Sequence, residues 1–162
     1  MIFGRGIIEP TDDFAPDNPI LDILSAPDTE PDWLIPNLLL QGTLVCLAGD
    51  AGSGKSYISY TIGLALAAGC AALSRLVPEA EPKRVIYFDE ENSRGDRDKY
   101  LRRSFHGLIA HNGGEEPSES ALLTNFWPVH FALGGDDWEA CAARWVRYVQ
   151  PQLIVIDTAT PA

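Results

Sequence analysis

Apolar residues in this chain come in two rhythms. Short, mostly apolar runs, Thr43–Ala48, Arg84–Phe88 and Leu153–Ile156, are each closed at once by a glycine or an acid. Runs of that length and density read as strands buried on both faces of a parallel sheet. Between them lie longer stretches with helical spacing. One begins near Gly54, carries Ile58, Ile62 and Leu66 four residues apart, and ends around Gly69, a suitable C-terminal cap. A second, Ser93 to about Asn112, sets Arg94, Arg97, Asp98 and Arg102 against Tyr100, Leu101, Phe105, Leu108 and Ile109. A third, Asp136–Gln150, has Asp136 as its expected N-cap and an inner stripe of Trp138, Cys141, Ala142, Trp145 and Val149. His111–Ser120 is polar and contains Gly113-Gly114, so it reads as a loop; Phe126–Leu133 alternates around Pro128, which fits an edge strand. The alternation of strands and helices predicts an α/β fold, a parallel sheet with helices on both faces.

The first 32 residues break this rhythm. From Glu9 to Asp32 the chain is acidic and carries Pro10, Pro16, Pro19, Pro27 and Pro31, which predicts a loosely ordered arm preceding a compact part from residue 33. Within the arm, Ile20–Leu24 has the spacing for one helical turn. Trp33-Leu34-Ile35-Pro36 opens the compact part. The formal charge of −11 over 162 residues argues against general adhesion to nucleic acid by this part of the protein. Ile58–Leu73, the longest apolar stretch, is interrupted by Ser59, Tyr60, Thr61, Gly63 and Gly69, so no membrane span is expected. With no export signal and three cysteines (Cys46, Cys70, Cys141) lacking metal or redox spacing, the expected setting is the reducing cytoplasm.

Chemistry concentrates at the ends of the apolar runs. Gly49-Asp50-Ala51-Gly52-Ser53-Gly54-Lys55-Ser56 matches the phosphate-binding loop GxxxxGK[ST], with a strand expected before it and a helix after it. Successive amides in such a loop form a concave set of donors around a phosphate, and the helix N-terminus adds positive charge. Lys55 is placed to reach the β- and γ-phosphates, and the Ser56 hydroxyl to hold Mg²⁺. Asp157 closes the run Leu153–Ile156 at the sheet edge where ligands of parallel sheets bind, and there it can orient the metal through a water. Asp89-Glu90-Glu91 closes Arg84–Phe88 at the same edge. A base that orients an attacking water belongs there, but periodicity does not choose between Glu90 and Glu91.

Taken together, Trp33-Leu-Ile-Pro, Leu47-Ala-Gly-Asp-Ala-Gly-Ser-Gly-Lys55-Ser56, Val85-Ile-Tyr-Phe-Asp-Glu-Glu91-Asn and Leu153-Ile-Val-Ile-Asp157-Thr158 resemble the RepA-like branch of the RecA/DnaB superfamily. These are AAA-type ATPase domains of plasmid, phage and prophage replication proteins. The resemblance spans about Trp33 to Thr158 and implies a RecA-like P-loop fold that binds ATP and Mg²⁺. It implies Glu91 as the catalytic base, Lys55 as both a catalytic residue and, with Gly49–Ser56, a nucleotide ligand, and Ser56 and Asp157 as the metal site. For the parent protein it implies a homo-oligomeric ring acting as a DNA-associated, helicase-like motor. RecA-like sheets run third strand, second, fourth, fifth, first, and this sequence stops after the fourth. The expectation is therefore a domain incomplete at its C-terminus, without the DNA-contacting loops. A recombinase or clock-type ATPase shares the same chemistry, and a nucleotide-binding module without turnover is the reading from another class.

Other residue sets read as structure. His106, His111 and His130 have no metal spacing, and Trp138 and Trp145 lie seven apart on one helix face, as core residues do. Arg94, Arg97, Arg102 and Arg103 fit a solvated helix face.

Overall fold

The computed structural model describes residues 30–50, 52–130 and 137–158. The expected arm up to residue 29 with its Ile20–Leu24 turn, Ala51, residues 131–133 of the expected edge strand and Asp136 lie outside the described residues. The chain divides into two units at Pro31/Asp32, and every described helix and strand belongs to the second.

A small hairpin comes first: β1 (Trp33–Ile35) pairs antiparallel with β2 (Leu39–Leu40). Asn37 takes the left-handed conformation at its turn, and Gln41 N–H closes it on Asp32 O at 2.8 Å. Leu34 and Ile35 bury in the main core, while Trp33 and Pro36 are exposed. The apolar contact of this opening segment with the core is thus made by Leu34 and Ile35.

The helix α1 (Lys55–Ala68) follows and ends in the left-handed cap Gly69. Of the expected stripe, Ile58 is exposed, Ile62 is half-buried against the core and Leu66 is buried; Tyr60, Gly63, Leu64, Ala65 and Ala67 are buried beside it. The helix is covered by strands on one side and by helices on another, so its second half is buried nearly all round. The strand β3 (Val85–Asp89) is buried at every position. The helix α2 (Arg94–His111) starts at Ser93, whose hydroxyl accepts from Asp96 N–H and caps the first turn. Its greasier face, with Leu101, Phe105 and Leu108, lies in the core. A short α3 (Glu119–Asn125), absent from the expected loop, is capped by Ser118 in the same way. Then come β4 (Phe126–His130), α4 (Trp138–Val149) and β5 (Leu153–Asp157).

The main sheet is parallel, in the order β4-β3-β5. This is the third–second–fourth arrangement implied by the resemblance. Alternation along β3 sends its side chains to two cores. Val85 and Tyr87 face α1 and α2, with Leu64 and Leu108; Ile86 and Phe88 face α4, with Cys141, Ala142, Trp145 and Val149. Helices therefore cover both faces. Trp138, expected on the inner stripe of α4, is 37% exposed.

One expected strand is not formed. Residues 41–50 are exposed throughout and extend no ladder; Leu44 is 99% exposed and Val45 57%. In the expected order the strand before the phosphate loop pairs with a fifth strand rather than with β5. No such strand is among the described residues, so Thr43–Ala48 has no ladder to join, and an apolar run without a ladder partner does not hold an extended pairing.

Candidate functional site

The loop before α1 is shaped by its glycines. Gly54 has φ 90°, a conformation side-chain-bearing residues rarely adopt, and it turns the chain into the helix. A Cβ on Gly49 would stand 2.9 Å from Ser53 Oγ, so the loop closes on itself where a side chain would hold it open. The helix N-terminus carries no side-chain cap and no acid in its first turn. Its leading amides keep their donors and their partial positive charge for an anion. The Lys55 ammonium folds back over the loop and donates to the carbonyls of Gly49 (2.8 Å) and Asp50 (3.0 Å). Lys55 and Ser56 are half-buried, while Gly49, Asp50, Gly52 and Ser53 are exposed.

The acids come to the same sheet edge by register. Asp89 and Asp157 are direct partners across β3 and β5, and Glu90 N–H extends the ladder to Asp157 O at 3.0 Å. Asp157 is tied to α1 through hydroxyls. Tyr87 Oη donates to Asp157 Oδ2 at 2.8 Å, and Ser59 Oγ lies 2.7 Å from Tyr87 Oη. A hydroxyl has one proton to give. With that of Tyr87 spent on the carboxylate, Ser59 is the donor in the second contact, and the Ser56 carbonyl 3.1 Å away is its competing acceptor. Ser59 of the phosphate-loop helix and the acid of the last strand are thus joined through the Tyr87 hydroxyl.

Asp89 is fully buried and satisfied from both sides. Tyr60 Oη donates to Oδ2 at 2.6 Å; the backbone and side-chain amides of Asn92 donate to Oδ1, each at 3.0 Å. This pins the turn that carries Glu90 and Glu91. Glu91 is exposed, Glu90 is half-buried, and among the described residues the Glu91 carboxylate has no hydrogen-bond or ion-pair partner. No hydrogen bond or ion pair joins Glu91 to Lys55 or Ser56 among the described residues; what comes together is Asp157 with Ser59 of α1, through Tyr87. Tyr60 and Tyr87 stack at 3.9 Å with their rings 9° apart. Burial, reinforced by Asp89, pushes the Tyr60 phenol far above its ordinary range, and burial does the same to Tyr87, so both remain donors.

These tyrosines were absent from the expected site. The signal that marks them is a hydroxyl within an otherwise apolar stretch, which must find a partner when buried. His106, His111 and His130 are exposed, and among the described residues no group of three acids, histidines or cysteines gathers. His130 Nδ1 contacts the Asp89 carbonyl at 3.1 Å.

A family model described as an AAA domain matches residues 12–162. The chain belongs to that family. No curated protein and no solved structure matches it. AAA domains are P-loop ATPases of α/β fold that generally bind ATP with Mg²⁺. The residues of this AAA domain fit such a ligand: an uncapped helix start for the phosphates, a lysine and the Ser56 hydroxyl at that start, and the Asp157 carboxylate, which Tyr87 links to Ser59 of the same helix. A Mg²⁺ ion at nucleotide phosphates takes one or two protein oxygens and keeps its waters, which suits this donor set. Among the described residues no helix is long and apolar enough to cross a membrane.

Proposed function

We propose that this AAA domain is the nucleotide-binding part of a RecA-like, RepA-like ATPase that hydrolyses ATP with Mg²⁺ as a DNA-associated, helicase-like motor in replication. The observation that carries the chemical part is the hydrogen-bonded link from Ser59 on α1 through Tyr87 to Asp157. It holds the phosphate loop and the acid of β5 as a unit, as Mg²⁺-nucleotide binding requires.

In this reading the amides of Gly49–Ser56 cradle the β-phosphate, and Lys55 exchanges its bonds to Gly49 O and Asp50 O for phosphate oxygens. The Ser56 hydroxyl binds the metal directly and Asp157 does so through a water. Bound Mg²⁺ neutralises charge on the phosphates. Glu91 orients the attacking water from the turn that Asp89 and Asn92 hold. The DNA partner and the homo-oligomeric ring rest on the resemblance of the motifs. Leu44, Val45 and Leu47 before the loop and Ile154 and Ile156 on β5 are exposed apolar residues, which suits pairing with further chain.

A nucleotide-binding module without turnover is the second reading, favoured by the exposure of residues 41–50, which leaves the loop without its supporting strand. Phosphate release separates the two. The ATPase reading expects Mg²⁺-dependent release lost in Glu91→Gln, with nucleotide binding lost in Lys55→Ala. Binding without release, unchanged by Glu91→Gln, establishes the module instead. Stimulation of release by single-stranded DNA is expected of the motor and not of a DNA-independent ATPase.

A further inference from the structure

Asp157 sits at the end of an edge strand, half-exposed, with a ladder neighbour on one side among the described residues. A carboxylate in that position rotates about its side-chain bonds unless something holds it. Here something does. Tyr87 Oη donates to Oδ2, which leaves Oδ1 as the oxygen without a protein donor among the described residues.

Tyr87 is itself immobile. Its ring is fully buried, stacked on Tyr60, and its hydroxyl accepts from Ser59. The other side chains of β3 before Asp89 are Val85, Ile86 and Phe88. A phenylalanine would fill the same space in the core. The hydroxyl adds nothing to apolar packing, and burying it costs free energy unless it is bonded. It makes two contacts, one to the helix that carries Lys55 and Ser56, the other to the acid of β5.

We propose that Tyr87 is a positioning residue for Asp157: its hydroxyl fixes the carboxylate in the rotamer that receives the metal-bound water, and Ser59 sets the hydroxyl from the phosphate-loop helix. The proposal rests on the Mg²⁺-nucleotide reading of the site and adds a specific route by which α1 and β5 share one metal geometry. Partners that orient metal-binding groups typically govern metal affinity by tenfold or more.

The test is the ratio of affinities for a fluorescent ATP analogue with Mg²⁺ and with EDTA, measured on the full chain. In Tyr87→Phe the ratio is expected to fall about tenfold while the EDTA affinity stays at the wild-type value. Asp157→Asn should lower the same ratio, and Tyr87→Phe/Asp157→Asn should lower it no further than Asp157→Asn alone, because both changes remove one function. A residue that only fills the core would weaken binding equally in both buffers and add independently in the double variant; either outcome overturns the proposal, as does an unchanged ratio in a folded Tyr87→Phe. Where Tyr87→Phe does not fold, Ser59→Ala keeps the ring and Asp157, and a smaller fall in the same ratio is expected. An unchanged ratio there refutes the proposal. A wild-type chain that binds the analogue in neither buffer refutes the nucleotide site itself, which distinguishes the two failures.

Discussion

Removing the Tyr60 hydroxyl tests how the buried acid is held. Tyr60→Phe keeps the ring and its 3.9 Å stack on Tyr87, so the apolar packing survives. The change removes a 2.6 Å donor to Asp89 Oδ2, on a residue with no exposed surface. Asn92 still serves Oδ1, but Oδ2 is left without a donor at a site too enclosed for free hydration. Hydrogen bonds to charged groups contribute about 1.5–3 kcal/mol, and a buried group stripped of its partner costs a similar amount. Urea titration followed by circular dichroism should therefore show a loss of about 2 kcal/mol at pH 8, with the slope unchanged. Tyr60→Phe combined with Asp89→Asn should cost less than the two single losses added, because the amide carries no charge to strand. If Tyr60→Phe unfolds at the wild-type midpoint, Tyr60 does not hold Asp89, and the pinned Glu90-Glu91 turn loses its physical basis.

Two further outcomes are expected from the same geometry. Tyr60 and Tyr87 have folded pKa values raised above the 10.0 of a free phenol. Above about pH 10 the unfolded chain therefore sheds protons that the folded chain keeps. Their contribution is fully present below that pH and is lost as pH rises, so urea midpoints should fall from about pH 9.5 to about pH 11.5, and the gap between wild type and Tyr60→Phe should narrow over that range. Constant midpoints would contradict the burial of these hydroxyls. Gly69→Ala places a Cβ 2.5 Å from the Ala80 carbonyl at φ 74°, whereas Gly113→Ala has the same backbone demand, φ 73°, and open space. Urea unfolding should show Gly113→Ala costing about 1–2 kcal/mol. Gly69→Ala should cost about 1–3 kcal/mol more. Equal losses would show that the α1 terminus does not approach the Ala80 turn.

The elements legible in the sequence are those whose pattern and punctuation agree. The run ending at Asp89, the Ser93-capped helix, the proline-bearing edge strand and Leu153–Asp157 all formed where periodicity put them. Thr43–Ala48 misled because composition reports burial propensity, not the presence of a neighbour to pair with. The short α3 was hidden by the polarity of Glu119, Ser120 and Thr124, although Ser118 before Glu119 is a capping signature. The phosphate loop is legible because its glycines and lysine are local in sequence. The Tyr60–Asp89 and Tyr87–Asp157 bonds join positions 29 and 70 residues apart, and no local pattern encodes such pairings.

Pro128 stands in register with Tyr87 on the outer strand β4. A proline nitrogen offers no hydrogen to a further strand, so this margin of the sheet is the poorer template for one. The opposite margin, Leu153–Asp157, carries no proline and is made of aliphatic residues up to its final acid. The two margins therefore differ: a strand beside β4 would meet a proline with no donor, whereas β5 has no proline along Leu153–Asp157. The margin better suited to a further strand is thus the one that carries the acid the site depends on.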